Sequence, residues 1–186
     1  MSDTNRNLAC AKGRAWSVHG VFALLALACL SSGCYSTRTR LPEHAKSVAV
    51  PVFANKTYID DYTRGLETEV TESTRKILLQ NGKLRITGRE NSDLILEGQI
   101  NKFDRIILRT DRFGEPAEAQ IVIQVGVSVY DVRAAKYLVN GLVVANNQNR
   151  VESGSYNLRR GEDENLGRKR AIEDLGRAIA QAVVDF

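Results

Sequence analysis

The clearest alternation of apolar and polar positions lies between residues 118 and 131. Such a pattern predicts a long β-strand with one buried face. The residues on that face are Ala119, Ile121, Ile123, Val125, Val127 and Val129. The same signal predicts strands at residues 46–53, 83–87, 93–108 and 137–146.

Local irregularities refine these predicted strands. Val48, Val50 and Val52 would share one face of the first strand, and Pro51 predicts that this strand lies at a sheet edge or ends there. The alternation in the strand at 93–108 breaks near Phe103, which predicts a β-bulge. Apolar residues occur on both faces of the strand at 137–146, so we expect both of its faces to be partly covered.

Two segments follow helical spacing instead. The stripe in residues 59–81 consists of Tyr62, Leu66, Val70 and Ile77, and the stripe in residues 162–184 consists of Ile172, Leu175, Ile179 and Val183. Each stripe predicts an amphipathic helix that packs on a sheet. Asn81 and Gly82 should end the first helix, because glycine readily adopts the left-handed conformation found after a helix. Residues 147–161 are polar and predict a loop.

The resulting order, β-α-β-β-β-β-α, defines the expected fold class. We predict an α+β two-layer sandwich in which a mixed, largely antiparallel sheet of four to five strands packs against two helices. The short connections at 110–116 and 132–135 predict an antiparallel meander. Residues 47–186 would form this single domain.

The N-terminal segment predicts export and lipid anchoring. Residues 21–30 are mostly apolar, follow three basic residues and precede Ser31-Ser32-Gly33-Cys34. This run is too short to span a membrane and is typical of a signal peptide. The small residues before Cys34 resemble a bacterial lipobox, so residues 1–33 would be removed and residues 34–46 would form a lipid-anchored tether. Two alternatives remain, an ordinary secretory signal and acylation at Cys29.

Composition excludes several functions. Removal of residues 1–33 takes away three of the 26 Lys and Arg residues and one of the 22 Asp and Glu residues, leaving a net charge of +2 that gives no case for nucleic-acid binding. His44 would be the only imidazole, and all three cysteines lie at or before Cys34. Nucleophilic triads and His-rich or Cys-rich metal sites cannot be assembled from this set. We therefore expect no enzymatic activity, metal or cofactor.

Several runs carry a family resemblance. They are Gly33-Cys34-Tyr35, the run Val48-Ala-Val-Pro-Val-Phe-Ala-Asn-Lys-Thr-Tyr58 and the run Asp93-Leu-Ile-Leu-Glu-Gly-Gln-Ile100, followed by the long strand and the closing helix. In this order they resemble the lipopolysaccharide-assembly lipoprotein family, LptE. The resemblance implies a palmitate-bearing lipoprotein on the periplasmic side of the cell outer membrane. It also implies a partner, an LptD-like β-barrel that transports lipopolysaccharide (LPS), which the lipoprotein plugs and helps to fold, and it implies LPS binding.

The resemblance also implies candidate LPS-binding residues. Family members carry a basic residue in the turn before the long strand, and Arg112 lies closest to that position in this sequence. They carry a second basic residue in the loop before the last helix, where this sequence has Arg159 and Arg160. Lys136 and Arg133, in the turn after the long strand, are weaker candidates. Arginine suits this role because its guanidinium makes charge-assisted hydrogen bonds to phosphates. Alternatively, these residues are solvated loop charges.

A second function stays open at this level. The opening run is also somewhat similar to other periplasm-facing outer-membrane lipoproteins that activate a cell-wall synthase or form part of a secretion complex. An enzyme is the third possibility, which the missing histidine and cysteine chemistry disfavours. A pull-down that yields a synthase in place of a barrel would separate the first two.

The lipobox interpretation yields a direct prediction. Cys34→Ala should abolish membrane anchoring, because no thiol then remains at the acylation position. Incorporation of radioactive fatty acid should vanish in this variant, and label that persists would assign the acylation to Cys29 instead.

Overall fold

One long antiparallel hairpin dominates the fold. It consists of β4 (Leu94–Thr110) and β5 (Pro116–Asp131), whose ladder runs from the pair Leu94–Asp131 to the pair Thr110–Pro116. The computed structural model describes residues 41–57, 63–148 and 150–184, all of which belong to one compact unit. The register shifts between Ile100 and Lys102, which confirms the bulge predicted near Phe103.

The sheet has seven strands in the described part of the chain. Its main path runs β3-β1-β4-β5-β6, and two short strands, β2 and β7, pair with β4 and β5. The remaining strands are β1 (Ser47–Ala49), β2 (Ala54–Asn55), β3 (Arg85–Ile86), β6 (Lys136–Ala145) and β7 (Ser155–Asn157). Because β1 and β2 run parallel to β4 whereas β4, β5 and β6 form an antiparallel meander, the sheet is mixed, as predicted. The predicted number of strands was too low, since β2 and β7 are too short to show an alternating pattern.

Two helices cover one face of the sheet. They are α1 (Leu66–Asn81) and α2 (Glu164–Val184). Their buried side chains, including Leu66, Leu175 and Ile179, form one core with the buried face of β5, so the predicted two-layer α+β sandwich is confirmed. None of the helices in the described ranges is long and apolar enough to cross a membrane.

The helix ends differ in how well the sequence predicted them. Gly82 follows α1 in the left-handed conformation, with φ = 64°, as the Asn81-Gly82 pair predicted. The start of α1 was predicted too early, because Gly65 is also left-handed at φ = 76° and the helix begins only at Leu66. Tyr62, predicted as part of the apolar stripe, lies outside the described residues.

Burial in the first strand and in β6 follows the simple alternation only in part. Val52 was expected to share a buried face with Val48 and Val50, yet it is 57% exposed, because β1 ends at Ala49 before Pro51 breaks the alternation. Thus Pro51 marks the end of a strand, and β1 is not an edge strand but lies between β3 and β4. In β6, Val144 and Ala145 are buried on opposite faces, which confirms that both faces are partly covered, whereas Leu142 and Val143 are exposed because β6 is an edge strand.

A glycine permits the close packing between the β1–β2 connection and β4. The Phe53 ring lies against Gly98, where a Cβ atom would come within 2.6 Å of the ring. The backbone N–H of Phe53 donates to the hydroxyl of Thr71 in α1 at 3.0 Å, so this residue is also linked to the helix layer. Phe53 is 2% exposed and joins the core only because residue 98 has no side chain.

We predict that Gly98→Ala destabilises the protein by about 1–3 kcal/mol, because the added methyl group forces the Phe53 ring to shift in a packed core. Denaturant unfolding of the full chain measures the loss. Gly88→Ala is the matched control, since no atom would lie within 4 Å of a Cβ at that position and its φ of −67° suits alanine. Equal stability of the two variants would contradict the packing role of Gly98.

Candidate functional site

The distal turn of the long hairpin is organised by one carboxylate. Asp111 Oδ1 accepts hydrogen bonds from the backbone N–H groups of Phe113 at 2.8 Å and Glu115 at 2.9 Å. Gly114 completes the turn with φ = 82°, a conformation that favours glycine. This local arrangement fixes the backbone on either side of Arg112 and leaves the side chains of Arg112 and Phe113 exposed.

Arg159 and Arg160 lie on a short 3-10 turn, Leu158–Arg160. The side chain of Asn157 accepts hydrogen bonds from the backbone N–H groups of Arg159 and Arg160, and left-handed Gly161 ends the turn. β7 leads directly into this turn and pairs with the outer part of β5, for example Asn157 with Glu118. The segment 147–161, predicted as a loop, therefore contains a strand that carries the turn to the hairpin tip.

The structure brings three of the candidate residues together. Arg112 and Arg159 line one open groove of about 710 Å³. Arg160 lines an adjoining groove, and the two grooves share Arg109, Glu118 and Asn157. We call the hairpin turn 111–115 together with Leu158–Arg160 the hairpin tip.

Much of the positive charge of the hairpin tip is not neutralised internally. Arg159 lies 3.3 Å from Asp111, and Arg160 is attracted to Glu162, whose pKa it helps to lower, but among the described residues no carboxylate lies within ion-pair distance of Arg112. The Arg112 guanidinium instead lies over the Phe113 ring, 4.7 Å from its centroid. Phe113 is itself 73% exposed, so cationic and apolar groups are presented side by side. The hairpin tip can therefore attract an anion and contact an apolar group beside it.

Asp111 links the two halves of the hairpin tip electrostatically. Its hydrogen bonds from Glu115 and Phe113, together with the Arg159 guanidinium, hold the pKa of the Asp111 carboxyl below its usual value, against the raising effect of burial. The carboxylate is therefore charged at neutral pH and orients Arg159. Neither Asp111 nor Asn157 was predicted as a site residue. The spacing Asp111-x-Phe113-Gly114 is, however, typical of an Asx turn.

Lys136 and Arg133 lie at the opposite end of the sheet. Lys136 pairs with Asp131, and Asp131 pairs with Leu94 at the base of the long hairpin. With a rise of about 3.3 Å per residue along β5, this end is roughly 50 Å from the hairpin tip. The structure thus separates Lys136 from Arg112, Arg159 and Arg160, with which it was grouped by sequence. The predicted acylation sites, Cys34 and Cys29, lie outside the described residues.

The base of the hairpin is also where the described chain enters the sheet. His44 Nε2 lies 3.1 Å from an oxygen of Asp131, which is 1% exposed. The carboxylate of Asp93 accepts hydrogen bonds from the backbone N–H groups of Lys46 and Ser47, both at 2.9 Å. These contacts hold residues 44–47 against the base, so the segment predicted as tether is partly docked.

The described residues contain no group of three or more His, Cys, Asp or Glu side chains that could hold a metal ion. In the hairpin tip, the Asp111 carboxylate and the Asn157 side-chain amide already accept hydrogen bonds from backbone N–H groups, and the arginines lie beside them. Its geometry suits binding of an anionic group.

Comparisons with known proteins assign the class. The sequence model of the lipopolysaccharide-assembly family LptE matches residues 45–185, which is most of the chain. The protein therefore belongs to the lipopolysaccharide-assembly LptE family, a family of non-enzymatic lipoproteins. No curated protein sequence matches this chain.

Solved structures are similar to this chain at low sequence identity. The hypothetical protein CT253 from Chlamydia trachomatis is 16% identical, with a TM-score of 0.52 over 75% of this chain and 96% of that chain. The rare lipoprotein B from Shewanella oneidensis is 15% identical, with a TM-score of 0.44 over 73% and 92% of the two chains. At 16% identity the chlamydial structure shows the common fold alone.

We predict that the amide protons of Phe113 and Glu115 titrate together with an apparent pKa below the ordinary aspartate value of about 3.9, because both donate to Asp111. A lowered pKa means that the carboxylate stabilises the turn above pH 4 and that this stabilisation is lost as the pH falls through the folded-state pKa. The NMR chemical shifts of these two amide protons, recorded as a function of pH, measure this pKa. Asp111→Asn keeps an acceptor oxygen and should abolish the titration, whereas a midpoint at or above 3.9 in the wild type would contradict the lowered pKa.

Proposed function

We propose that this protein is the outer-membrane lipoprotein subunit that supports an LptD-like β-barrel and binds LPS on its periplasmic side. Membership of the LptE family supports the assignment to lipopolysaccharide assembly. The observation that carries the binding role is the hairpin tip, where Arg112 lies over the exposed Phe113 ring without a carboxylate in ion-pair distance among the described residues, and where Arg159 and Arg160 lie close by.

The chemistry of LPS fits this surface. LPS is an anionic amphiphile whose phosphates accept charge-assisted, bidentate hydrogen bonds from arginine. The exposed Phe113 ring and the neighbouring Leu158, which is 38% exposed, offer apolar area for the acyl part of the same molecule. Groups of both kinds within one small surface distinguish an amphiphile site from a site for a free anion. Lys136 is left out of the proposed site, because it lies at the base of the hairpin.

Anchoring through Cys34 is part of the proposal. After removal of residues 1–33, the acylated cysteine would be joined to the domain by residues 34–46, of which the last three are docked at the hairpin base. Several acyl chains would provide lasting attachment, since each buried CH₂ contributes about 0.8 kcal/mol. The role is one of binding and assembly, with no catalytic step.

We predict that Arg112→Gln combined with Arg160→Gln weakens LPS binding at least roughly tenfold, because each lost charge-assisted hydrogen bond is worth about 1.5 kcal/mol or more. Binding of purified LPS to the full-length protein measures the effect. Lys136→Gln is the control, since it removes one exposed charge far from the hairpin tip and should leave affinity unchanged.

Two results would count against the proposal. Equal loss of affinity in Lys136→Gln and in the double variant would show that net charge matters and not the hairpin tip. Failure of the wild-type protein to co-purify with an outer-membrane barrel after gentle detergent extraction would remove the assembly role, and recovery of a cell-wall synthase would favour the alternative lipoprotein function.

A further inference from the structure

Two Asn-Gly pairs occur in the sequence, Asn81-Gly82 and Asn140-Gly141. In such a pair the backbone nitrogen of the glycine can attack the side-chain carbonyl carbon of the asparagine, because glycine has no side chain to hinder the approach. Both pairs are exposed to solvent, and both glycines are left-handed, with φ = 64° at Gly82 and φ = 66° at Gly141. The two pairs differ in the group that accepts the glycine N–H.

At Asn140-Gly141 that group is a hydroxyl. The register between β5 and β6 shifts at this point, so that Asn140 and Gly141 together lie opposite the single residue Ser128. The Gly141 N–H donates to Ser128 Oγ at 2.9 Å. The Ser128 hydroxyl in turn donates to Asn140 Oδ1 at 3.4 Å, a longer and weaker hydrogen bond. One hydroxyl therefore connects the nitrogen that would attack with the oxygen of the amide that would be attacked.

This connection matches the proton movement that the attack requires. As the bond forms between Gly141 N and Asn140 Cγ, the nitrogen loses its proton and Oδ1 gains negative charge. Ser128 Oγ can accept the proton from the nitrogen and pass its own proton to Oδ1, which leaves the hydroxyl unchanged. Proton transfer through a positioned group lowers the barrier of such a step. The position of the hydroxyl thus favours reaction at this pair.

Asn81-Gly82 lacks this arrangement. The pair ends α1, where the Gly82 N–H donates to the backbone carbonyl of Leu79 at 3.2 Å. A backbone carbonyl has no proton to pass on, and attack by this nitrogen would also break the hydrogen bond that caps the helix. Because the dipeptide, its exposure and the glycine conformation are the same as at Asn140-Gly141, Asn81-Gly82 is a matched internal control.

We infer that Asn140-Gly141 is a site of spontaneous deamidation in which Ser128 relays the proton. After the attack, the hydroxyl of the adduct returns its proton to the side-chain nitrogen of Asn140. The bond from Cγ to this nitrogen then breaks, ammonia leaves, and a five-membered succinimide remains. Water adds to one of the two succinimide carbonyl groups and opens the ring to aspartate or to isoaspartate. Water is the one co-reactant, and no atom changes its oxidation state.

The modification would change the edge strand β6. Lys136 is the only charged residue of this strand, so the product carboxylate would be its first negative charge. Isoaspartate also adds one carbon to the main chain, which disturbs the register in which Val144 and Ala145 pair with β5. The site lies outside the hairpin tip, and the inference does not rest on the proposed function.

The test follows both pairs in one sample. The purified full-length protein is incubated at neutral pH, and mass spectrometry of the tryptic peptides 77–83 and 137–150 measures conversion at Asn81 and Asn140. We expect conversion at Asn140 to be at least roughly fivefold faster than at Asn81, because only Asn140 has a positioned proton relay. In denaturant the two pairs should convert at similar rates, since the relay is lost.

Two substitutions test the relay itself. Ser128→Ala should slow conversion at Asn140 at least roughly threefold, because the proton path is removed, and should leave Asn81 unchanged. Ser128→Thr keeps the hydroxyl and should restore most of the rate. Thermal unfolding of both variants checks that they fold.

Several results would overturn the inference. Conversion at Asn140 that is no faster than at Asn81 in the folded protein, or a rate ratio equal to that in denaturant, would remove the site, and neither measurement needs a variant. Conversion at Asn140 that is unchanged or faster in folded Ser128→Ala, or equally slow in Ser128→Ala and Ser128→Thr, would remove the relay.

Discussion

The ladder between β4 and β5 is the constraint on which the rest of the structure depends. Its buried row, from Ala119 to Val129 in β5, packs against both helices, and burial of each valine or isoleucine contributes about 1.5–3 kcal/mol. Because the side-chain period of a strand is two, a slip of one residue would turn this whole row toward solvent. The register is therefore strongly specified, and with it the position of every element attached to the hairpin.

The length of this hairpin gives the molecule two chemically different ends. At the base, Asp93 and Asp131 hold the incoming segment through Ser47 and His44. At the distal end, Asp111 and Asn157 use their side chains to cap turns, which leaves the arginines around them exposed. The same strand pairing that stabilises the domain thus keeps the start of the domain apart from the proposed binding end.

The long hairpin extends beyond the part of the sheet that the helices cover. Phe103 still packs against the core, but from Arg105 outward β4 is exposed, and Arg105 contacts α2 only through Glu164 near the start of that helix. This overhang explains why apolar residues such as Ile107 and arginines such as Arg112 are exposed on one projection. The proposed binding tip can be placed there without disturbing the core.

The sequence alone determined the elements whose signals are local and long. The row Ala119–Val129, the α2 stripe with Leu175 and Ile179, and the Asn81-Gly82 helix end were all predicted, because alternation, helical spacing and glycine conformation each act within a few residues. Residue runs also indicated the LptE family. The candidate arginines were found by type, since a guanidinium in a loop is visible in the sequence.

Only the tertiary structure decided which of those residues belong together. β7 is three residues long and carries no readable period, yet its pairing with β5 brings Arg159 to Arg112 and leaves Lys136 at the far end. The pairing of β1 and β2 with β4 is equally invisible in the sequence, because both strands are too short to show an alternating pattern. Contacts between distant segments follow from sheet order and register, which the local alternation of residues does not encode.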